Sequence, residues 1–246
     1  MSTVPLTTND RDEKFYRRLQ RTYETVQAWD ANETLLQNRR AELPWEYLRT
    51  GIHADLDGAV SEQYKDHSHL VTLQRLVRWF QKSMTWVNTP SCVDCNSSNC
   101  TLEKVRGPET DDEKINQANR VEVYRCGDCN STNTTFPRYN NVARLRETKQ
   151  GRCGEYANLF GLTCRAAGFE TRYVLDVTDH VWTECYIPSL EEWVMADGCE
   201  GIINEPGMYE HGWGKKGLCY MISLGHDHII DVTPRYTRSF MSDQLQ

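Results

Sequence analysis

Apolar positions recur at helical spacing from the start of the chain. Phe15, Tyr16, Leu19, Tyr23 and Val26 predict a helix that Asp10 caps, and a second helical stretch from Thr34 to Leu43 stops at Pro44. Leu70, Leu73, Leu76, Val77, Phe80 and Met84 predict an amphipathic helix over residues 70 to 87. Between residues 88 and 137 the periodicity disappears. That stretch holds five cysteines, many Asn, Ser and Thr, and a charged middle from residue 103 to 119. After Pro137 a short helical piece runs through Val142 and Leu145. A longer helix then starts at Cys153 and ends at Gly168, a C-cap residue.

Beyond Gly168 the pattern changes to strands. Residues 171–177, 180–187, 192–197, 218–224 and 228–232 read as extended runs, with Pro188-Ser189-Leu190-Glu191 as a hairpin turn. The sequence shows no internal repeat and no long low-complexity tract. Helices, a cysteine-rich insert, a helix and then an antiparallel sheet predict an α+β fold. Residues 1–87 form the N-terminal helical region, 88–137 a metal-binding module, and 138–246 the helix and sheet, all serving one core.

Composition narrows the function. The chain has 246 residues, 39% apolar and 26% charged, which predicts a folded, soluble protein. A net charge of -7 and a pI near 5.5 weigh against a nucleic-acid binder. No apolar run has the length of a membrane span, and residues 1–10 lack a signal-peptide pattern. A cytoplasmic location is therefore predicted, with the ten cysteines reduced.

Three residues in order carry candidate chemistry. Cys153 lies where a helix begins, His180 opens one strand-like run and Asp197 closes the next. A thiol at a helix N-terminus meets unpaired N–H groups and the positive end of the dipole, which favour the thiolate. Its own N–H can help hold an oxyanion. A histidine on a strand can take and return the proton, and an aspartate can fix the tautomer. Cys164, Cys185, Cys199 and Cys219 sit inside apolar patterns and read as packing thiols.

A second signal is Cys92-Val93-Asp94-Cys95 with Cys126-Gly127-Asp128-Cys129, two Cys-x-x-Cys turns thirty residues apart. Two residues between ligands let one turn aim both thiolates at one ion, and two such turns complete a tetrahedral sulfur site. Structural zinc is predicted, since four thiolates leave no position open to substrate. Cys100 reads as an extra thiol.

The motifs together resemble a known family. Gly-Arg-Cys-Gly-Glu-Tyr-Ala-Asn-Leu-Phe around Cys153, Asp179-His180-Val181-Trp182-Thr183-Glu184, Ala196-Asp197-Gly198-Cys199-Glu200, Gly212-Trp213-Gly214-Lys215-Lys216 and Asp231-Val232-Thr233-Pro234-Arg235-Tyr236 occur in order. So arranged, the chain resembles the cytoplasmic peptide:N-glycanases of the transglutaminase-like superfamily, whose core is papain-related. The match spans roughly residues 70 to 236, with Tyr156 standing where many members have Trp. The resemblance implies hydrolysis of the amide between a glycan and Asn, converting Asn to Asp, on misfolded glycoproteins exported from the endoplasmic reticulum. It implies Cys153, His180 and Asp197 as the triad. Trp86, Trp182, Trp193 and Glu200, with His180, would line a cleft for the chitobiose core. Alternation from His180 places Trp182 on the same strand face as the base. In similar fungal enzymes an N-terminal helix binds a proteasome-shuttle protein with a ubiquitin-like domain. Phe15, Tyr16, Tyr23 and Trp29 suit such a contact or a core face equally. Another thiol acyl-transfer enzyme, a transglutaminase or thiol protease, and a non-enzymatic zinc-containing adaptor are the alternatives.

Overall fold

The computed structural model describes residues 10–49, 68–211 and 220–237. The two expected N-terminal stretches are helices α1 (Asp10–Asp30) and α2 (Glu33–Ala41). Asn32 separates them and caps α2 by accepting the Leu35 N–H at 2.9 Å. Pro44 opens a short α3 (Trp45–Arg49), its carbonyl accepting from the Leu48 N–H. The side chain of Asp10, expected as a cap, lies outside the described ones.

Helix α4 (Ser68–Ser83) buries Leu70, Leu73, Leu76, Val77 and Phe80, but stops four residues before the expected end at 87. Thr85 and Trp86 instead form strand β1, which pairs in parallel with β5 (Gln150–Gly151). The Thr85 and Val87 amides donate to the Lys149 and Gly151 carbonyls at 2.8 and 3.0 Å, a long-range pairing that helical periodicity cannot reveal.

The cysteine-rich stretch contains strands that its composition concealed. β2 (Cys100–Arg106), β3 (Val121–Cys126) and β4 (Thr134–Pro137) form an antiparallel sheet in that order. Between β2 and β3 lies α5 (Asp111–Ile115), started by a reciprocal Thr110–Glu113 capping box.

Helix α6 (Val142–Thr148) is capped by Asn141, and α7 (Cys153–Ala167) ends, as expected, at Gly168 in the left-handed region with φ 96°. Then come β6 (Thr171–Asp176), β7 (Val181–Ile187), β8 (Glu192–Asp197), β9 (Ile202–Ile203), α8 (Met208–His211), β10 (Met221–Leu224), β11 (Ile229–Asp231) and α9 (Thr233–Tyr236). Among the described residues these strands make one antiparallel sheet in the order β11-β10-β6-β7-β8-β9.

Helix α7 lies across β6 and β7, with α1, α2 and α4 packed around it. Its residues from Glu155 to Cys164 are all buried, so its register against the sheet is tightly held. Trp29 of α1 rests on Gly161 of α7, where an added Cβ would come within 2.0 Å of the indole. The Trp29 N–H donates to Asn158 Oδ1 at 3.0 Å. Trp29 is thus a core residue, which removes it from any docking face, whereas Tyr16 is 67% exposed. Among the described residues no helix is long and apolar enough to cross a membrane.

Candidate active site and metal centre

Cys153 is the first residue of α7, so its backbone N–H belongs to the turn that has no intrahelical acceptor. His180 sits one residue ahead of β7 rather than within it, and its carbonyl accepts from the Asp176 N–H at 3.0 Å, closing the β6–β7 turn. Asp197 ends β8, as expected. The sheet and α7 bring the three together. His180 Nε2 lies 2.8 Å from Asp197 Oδ2, and the imidazole is hydrogen-bonded to the Cys153 side chain. With Nε2 taken by the carboxylate, Nδ1 is the nitrogen left for the thiol.

The charges of this cluster reinforce one another. Burial alone would lower the His180 pKa. Hydrogen bonds and charge from Asp197 and Cys153 outweigh it and hold the imidazole up at about 9. Asp197 is 1% exposed and fully satisfied. Its Oδ1 accepts the Cys199 and Glu200 N–H groups at 2.7 and 3.1 Å, and its Oδ2 also accepts the Tyr209 hydroxyl at 2.5 Å.

Tyr209 was invisible to the sequence reading, because a single Tyr in a four-residue helix carries no periodic signal. It is buried, its ring 5.1 Å from His180 and 4.5 Å from Trp182. Burial and the neighbouring Asp197 charge push its hydroxyl far above the usual range, so it stays protonated and donates to the carboxylate.

The expected cleft residues divide. Trp182 does share the His180 side, with the rings 5.9 Å apart and stacked. It is only 1% exposed, however, and donates its N–H to the Tyr236 hydroxyl at 2.9 Å, so it packs behind the base and does not line a cleft. The Tyr236 hydroxyl in turn donates to Glu184 at 2.6 Å, which Arg172 pairs at 2.6 Å. Trp193 lies four residues up β8, about 13 Å along the strand from Asp197. There it sits under Arg172 at 4.1 Å and beside His228, away from the thiol. Trp86 is 44% exposed, 5.9 Å from Tyr156, with β1 paired to Gly151 just ahead of the thiol. Glu200 is half-buried, and burial followed by the Asp197 charge raises its carboxyl above the ordinary value. Residues 212 to 216, with Cys219, lie outside the described residues.

The residue before the thiol is anchored elsewhere. Arg152 donates to both Glu122 oxygens, at 3.0 and 2.8 Å, to the Tyr124 hydroxyl at 3.2 Å, and to the Val87 and Asn88 carbonyls. Glu155 caps α7 by accepting the Arg152 N–H at 2.9 Å and pairs with Arg138 at 2.7 and 2.6 Å. Burial would raise Glu122, but hydrogen bonds from Arg152 and Tyr124 and the charges of Arg152 and Arg138 hold it below the usual carboxylate range.

Cys92, Cys95, Cys126 and Cys129 converge, with all four sulfurs within 4.8 Å of one another. Cys92 meets Cys129, and Cys95 meets Cys126, at 3.6 Å. Sulfurs bound to a tetrahedral ion at ~2.3 Å stand ~3.8 Å apart, so the four fit a metal of that size. Cys100 stands outside the set, its sulfur facing the Ser97 carbonyl at 3.7 Å. The nine described cysteines are free of disulfides.

The structure corrects the expectation of no internal repeat. Cys92-Val93-Asp94-Cys95-Asn96-Ser97-Ser98-Asn99 and Cys126-Gly127-Asp128-Cys129-Asn130-Ser131-Thr132-Asn133 fold alike. Asn96 and Asn130 take φ of 60° and 58°, and Cys92 and Cys126 accept from them at 2.9 and 3.0 Å. Each turn's aspartate holds the other turn. Asp128 accepts from Ser97 and Asn99, and Asp94 from Ser131 and Asn133. The repeat is only eight residues long, below the periods at which repeat folds announce themselves.

Residues 100–198 match the transglutaminase-like superfamily. A peptide-N(4)-(N-acetyl-beta-glucosaminyl)asparagine amidase of Arabidopsis thaliana is 47% identical over 180 residues, covering 73% of this chain and 24% of that one. Those of Caenorhabditis briggsae and Oryza sativa subsp. japonica are each 40% identical, covering 94% and 92% of this chain and 36% and 49% of theirs. The chain thus spans a quarter to a half of the length of these relatives. A solved chain of the Rad4/XPC nucleotide excision repair complex matches with a TM-score of 0.51 at 13% identity, covering 96% of this chain and 53% of its own, a likeness of fold alone. By its identity to these amidases over most of its length, the chain belongs to the peptide-N(4)-(N-acetyl-beta-glucosaminyl)asparagine amidase family.

Proposed function

We propose that the protein hydrolyses the amide joining an N-linked glycan to asparagine, using Cys153, His180 and Asp197. The contact of Cys153 with a histidine held by a buried aspartate carries this reading. The Cys153 sulfur, its proton taken by His180, attacks the side-chain carbonyl carbon of the glycosylated Asn. N–H groups at the start of α7 hold the oxyanion. His180, protonated across neutral pH, gives its proton to the leaving nitrogen, and the glycan departs as a 1-amino sugar. The thioester left on Cys153 is then attacked by a water that His180 deprotonates, which frees an aspartate. Asp197 keeps the imidazole oriented and balances its charge.

Trp86 and Glu200 are the residues we assign to the first sugar. One offers an exposed ring face, the other a carboxylate beside the histidine. Zinc is the metal that best suits four thiolates in paired turns, with Cys92, Cys95, Cys126 and Cys129 as ligands and a structural role only. Misfolded glycoproteins in the cytoplasm are the proposed substrates, and the free thiols suit that reducing compartment. A proteasome-shuttle protein would dock on the exposed side of α1 around Tyr16.

The test is incubation of a denatured high-mannose glycoprotein with the protein and with Cys153→Ala, followed by mass spectrometry of the glycosylation site. Conversion of Asn to Asp by the parent alone is expected. Absence of conversion by folded, metal-loaded protein would move the assignment to another acyl-transfer reaction or to an adaptor.

A further inference from the structure

Beside α1, the surface opens into a cleft of about 580 Å³ that reaches Cys153 and Gly154. Its wall is cationic. Lys14, Arg17, Arg18 and Arg21 line it at i, i+3, i+4 and i+7, one face of α1, and Arg120 and Arg138 complete it. Two carboxylates, Glu155 and Asp179, stand among these six, and Glu155 is committed to Arg138. The whole chain carries a net charge of -7, so this wall runs against the overall balance. Arg18 is held by the Val177 and Asp176 carbonyls at 2.9 and 3.3 Å, which fix a guanidinium without cancelling its charge. Arg17 meets Glu13, and Arg120 lies 3.5 Å from Glu122. Neither Trp86 nor Glu200, the residues assigned to the sugar, lines this cleft.

We propose that this cleft is a polypeptide subsite that takes acidic residues flanking the glycosylated asparagine. The proposal rests on the amidase reading for its substrate. The substrate has two halves, and only one can use such a wall. N-acetylglucosamine is uncharged and gains from ring faces and hydrogen-bond acceptors rather than from clustered cations. A carboxylate gains charge-assisted, two-pronged bonds from arginine, which supplies five of the six positions. A cleft with low-dielectric walls focuses that attraction toward its base, where the thiol lies. Tyr16 points to the opposite side of the same helix by residue spacing, so the cationic face and the exposed aromatic face do not compete.

Two labelled peptides without glycan provide the test by fluorescence anisotropy. One carries Asp at two positions on each side of a central Asn, the other carries Asn there, and the matching glycopeptides are assayed for turnover. At low salt the acidic peptide is expected to bind about ten-fold tighter, a preference that shrinks several-fold at high salt. Arg17→Glu with Arg21→Glu is expected to abolish it. Arg17→Gln with Arg21→Gln, a milder pair, is expected to weaken it in parallel if the first melts early. Equal affinity for both peptides overturns the subsite. A preference that survives either folded double variant, or tighter capture of a single-stranded oligonucleotide than of the acidic peptide, also overturns it. If neither glycopeptide is cleaved, the amidase reading fails while the anisotropy still judges the cleft. If both are cleaved with equal kcat/KM, the subsite alone fails.

Discussion

The Arg152 guanidinium closes a two-pronged ion pair on Glu122, with Nη1 3.0 Å from Oε1 and Nη2 2.8 Å from Oε2. Arg152 immediately precedes the thiol, and Glu122 lies on the strand that ends in the metal-cluster residue Cys126. The sheet of the cysteine module and the first turn of α7 therefore share one buried carboxylate. Glu122→Gln and Arg152→Lys each lose charge-assisted bonds worth about 1.5–3 kcal/mol. Turnover is expected to fall about 10- to 100-fold, with slower alkylation of Cys153 by iodoacetamide in both variants. Unchanged alkylation and turnover would show that the pair is only structural.

The raised His180 value sets the pH dependence. Because its folded pKa of about 9 exceeds the ordinary ~6.5, its contribution to stability is complete below ~6.5 and is lost as pH rises through about 9. Turnover should follow the same alkaline limb, since the leaving nitrogen needs the imidazolium proton. Asp197→Asn should lower that limb and cost about 10³- to 10⁴-fold in kcat. A pH–rate profile checks both, and an unshifted limb would contradict the assignment.

Tyr209 donates to the same Asp197 oxygen as His180. Tyr209→Phe removes that donor and leaves the ring packing on Trp182. Asp197 then attracts the imidazolium more strongly, so the alkaline limb is expected to move upward, with several-fold lower kcat. Kinetics across pH would separate this from a folding defect, which leaves the limb in place.

Chelation of the bound metal should melt the β2-β3-β4 module and take turnover with it. Asp94→Ala and Asp128→Ala cut the cross-links between the two turns while sparing every sulfur. A loss of about 10- to 100-fold in metal affinity is expected for each, by analogy with outer-shell partners elsewhere. Competition with a chromophoric chelator measures it, and parent-like affinity would show the cross-links to be idle.

Gly161→Ala is expected to lower stability by about 1–3 kcal/mol, because the added methyl meets the Trp29 ring and the surrounding core is closed. A thermal melt with a Gly161→Ala, Trp29→Phe double variant should recover part of the loss. No recovery would place the strain elsewhere.

Much of the architecture is legible in the sequence. The amphipathic α4, the α7 helix with its Gly168 stop, and the β7–β8 hairpin follow from local periodicity and turn chemistry, which depend on neighbours in sequence. The paired cysteine turns were equally legible, because ligand spacing within a turn is local. The short strands β2, β3 and β4 were not. Their runs are short and split by the charged stretch, and buried residues such as Val121, Val123, Tyr124 and Phe136 gain their order from cross-strand pairing, which leaves no pattern along the chain.

The sequence by itself determined which residue types stand ready: a thiol at a helix start, a histidine and an aspartate at strand ends, and two Cys-x-x-Cys turns. Tertiary structure decided which of them meet. Packing of α7 on the sheet put Cys153 against His180, buried Trp182 behind the base, and left Trp193 at the far end of β8. The same packing chose Tyr209 as the second donor to Asp197 and Arg152 as the link to the metal module. Those are contacts across tens of residues. They are fixed by the filling of the buried clusters and the pairing of buried charges, and no local pattern encodes either.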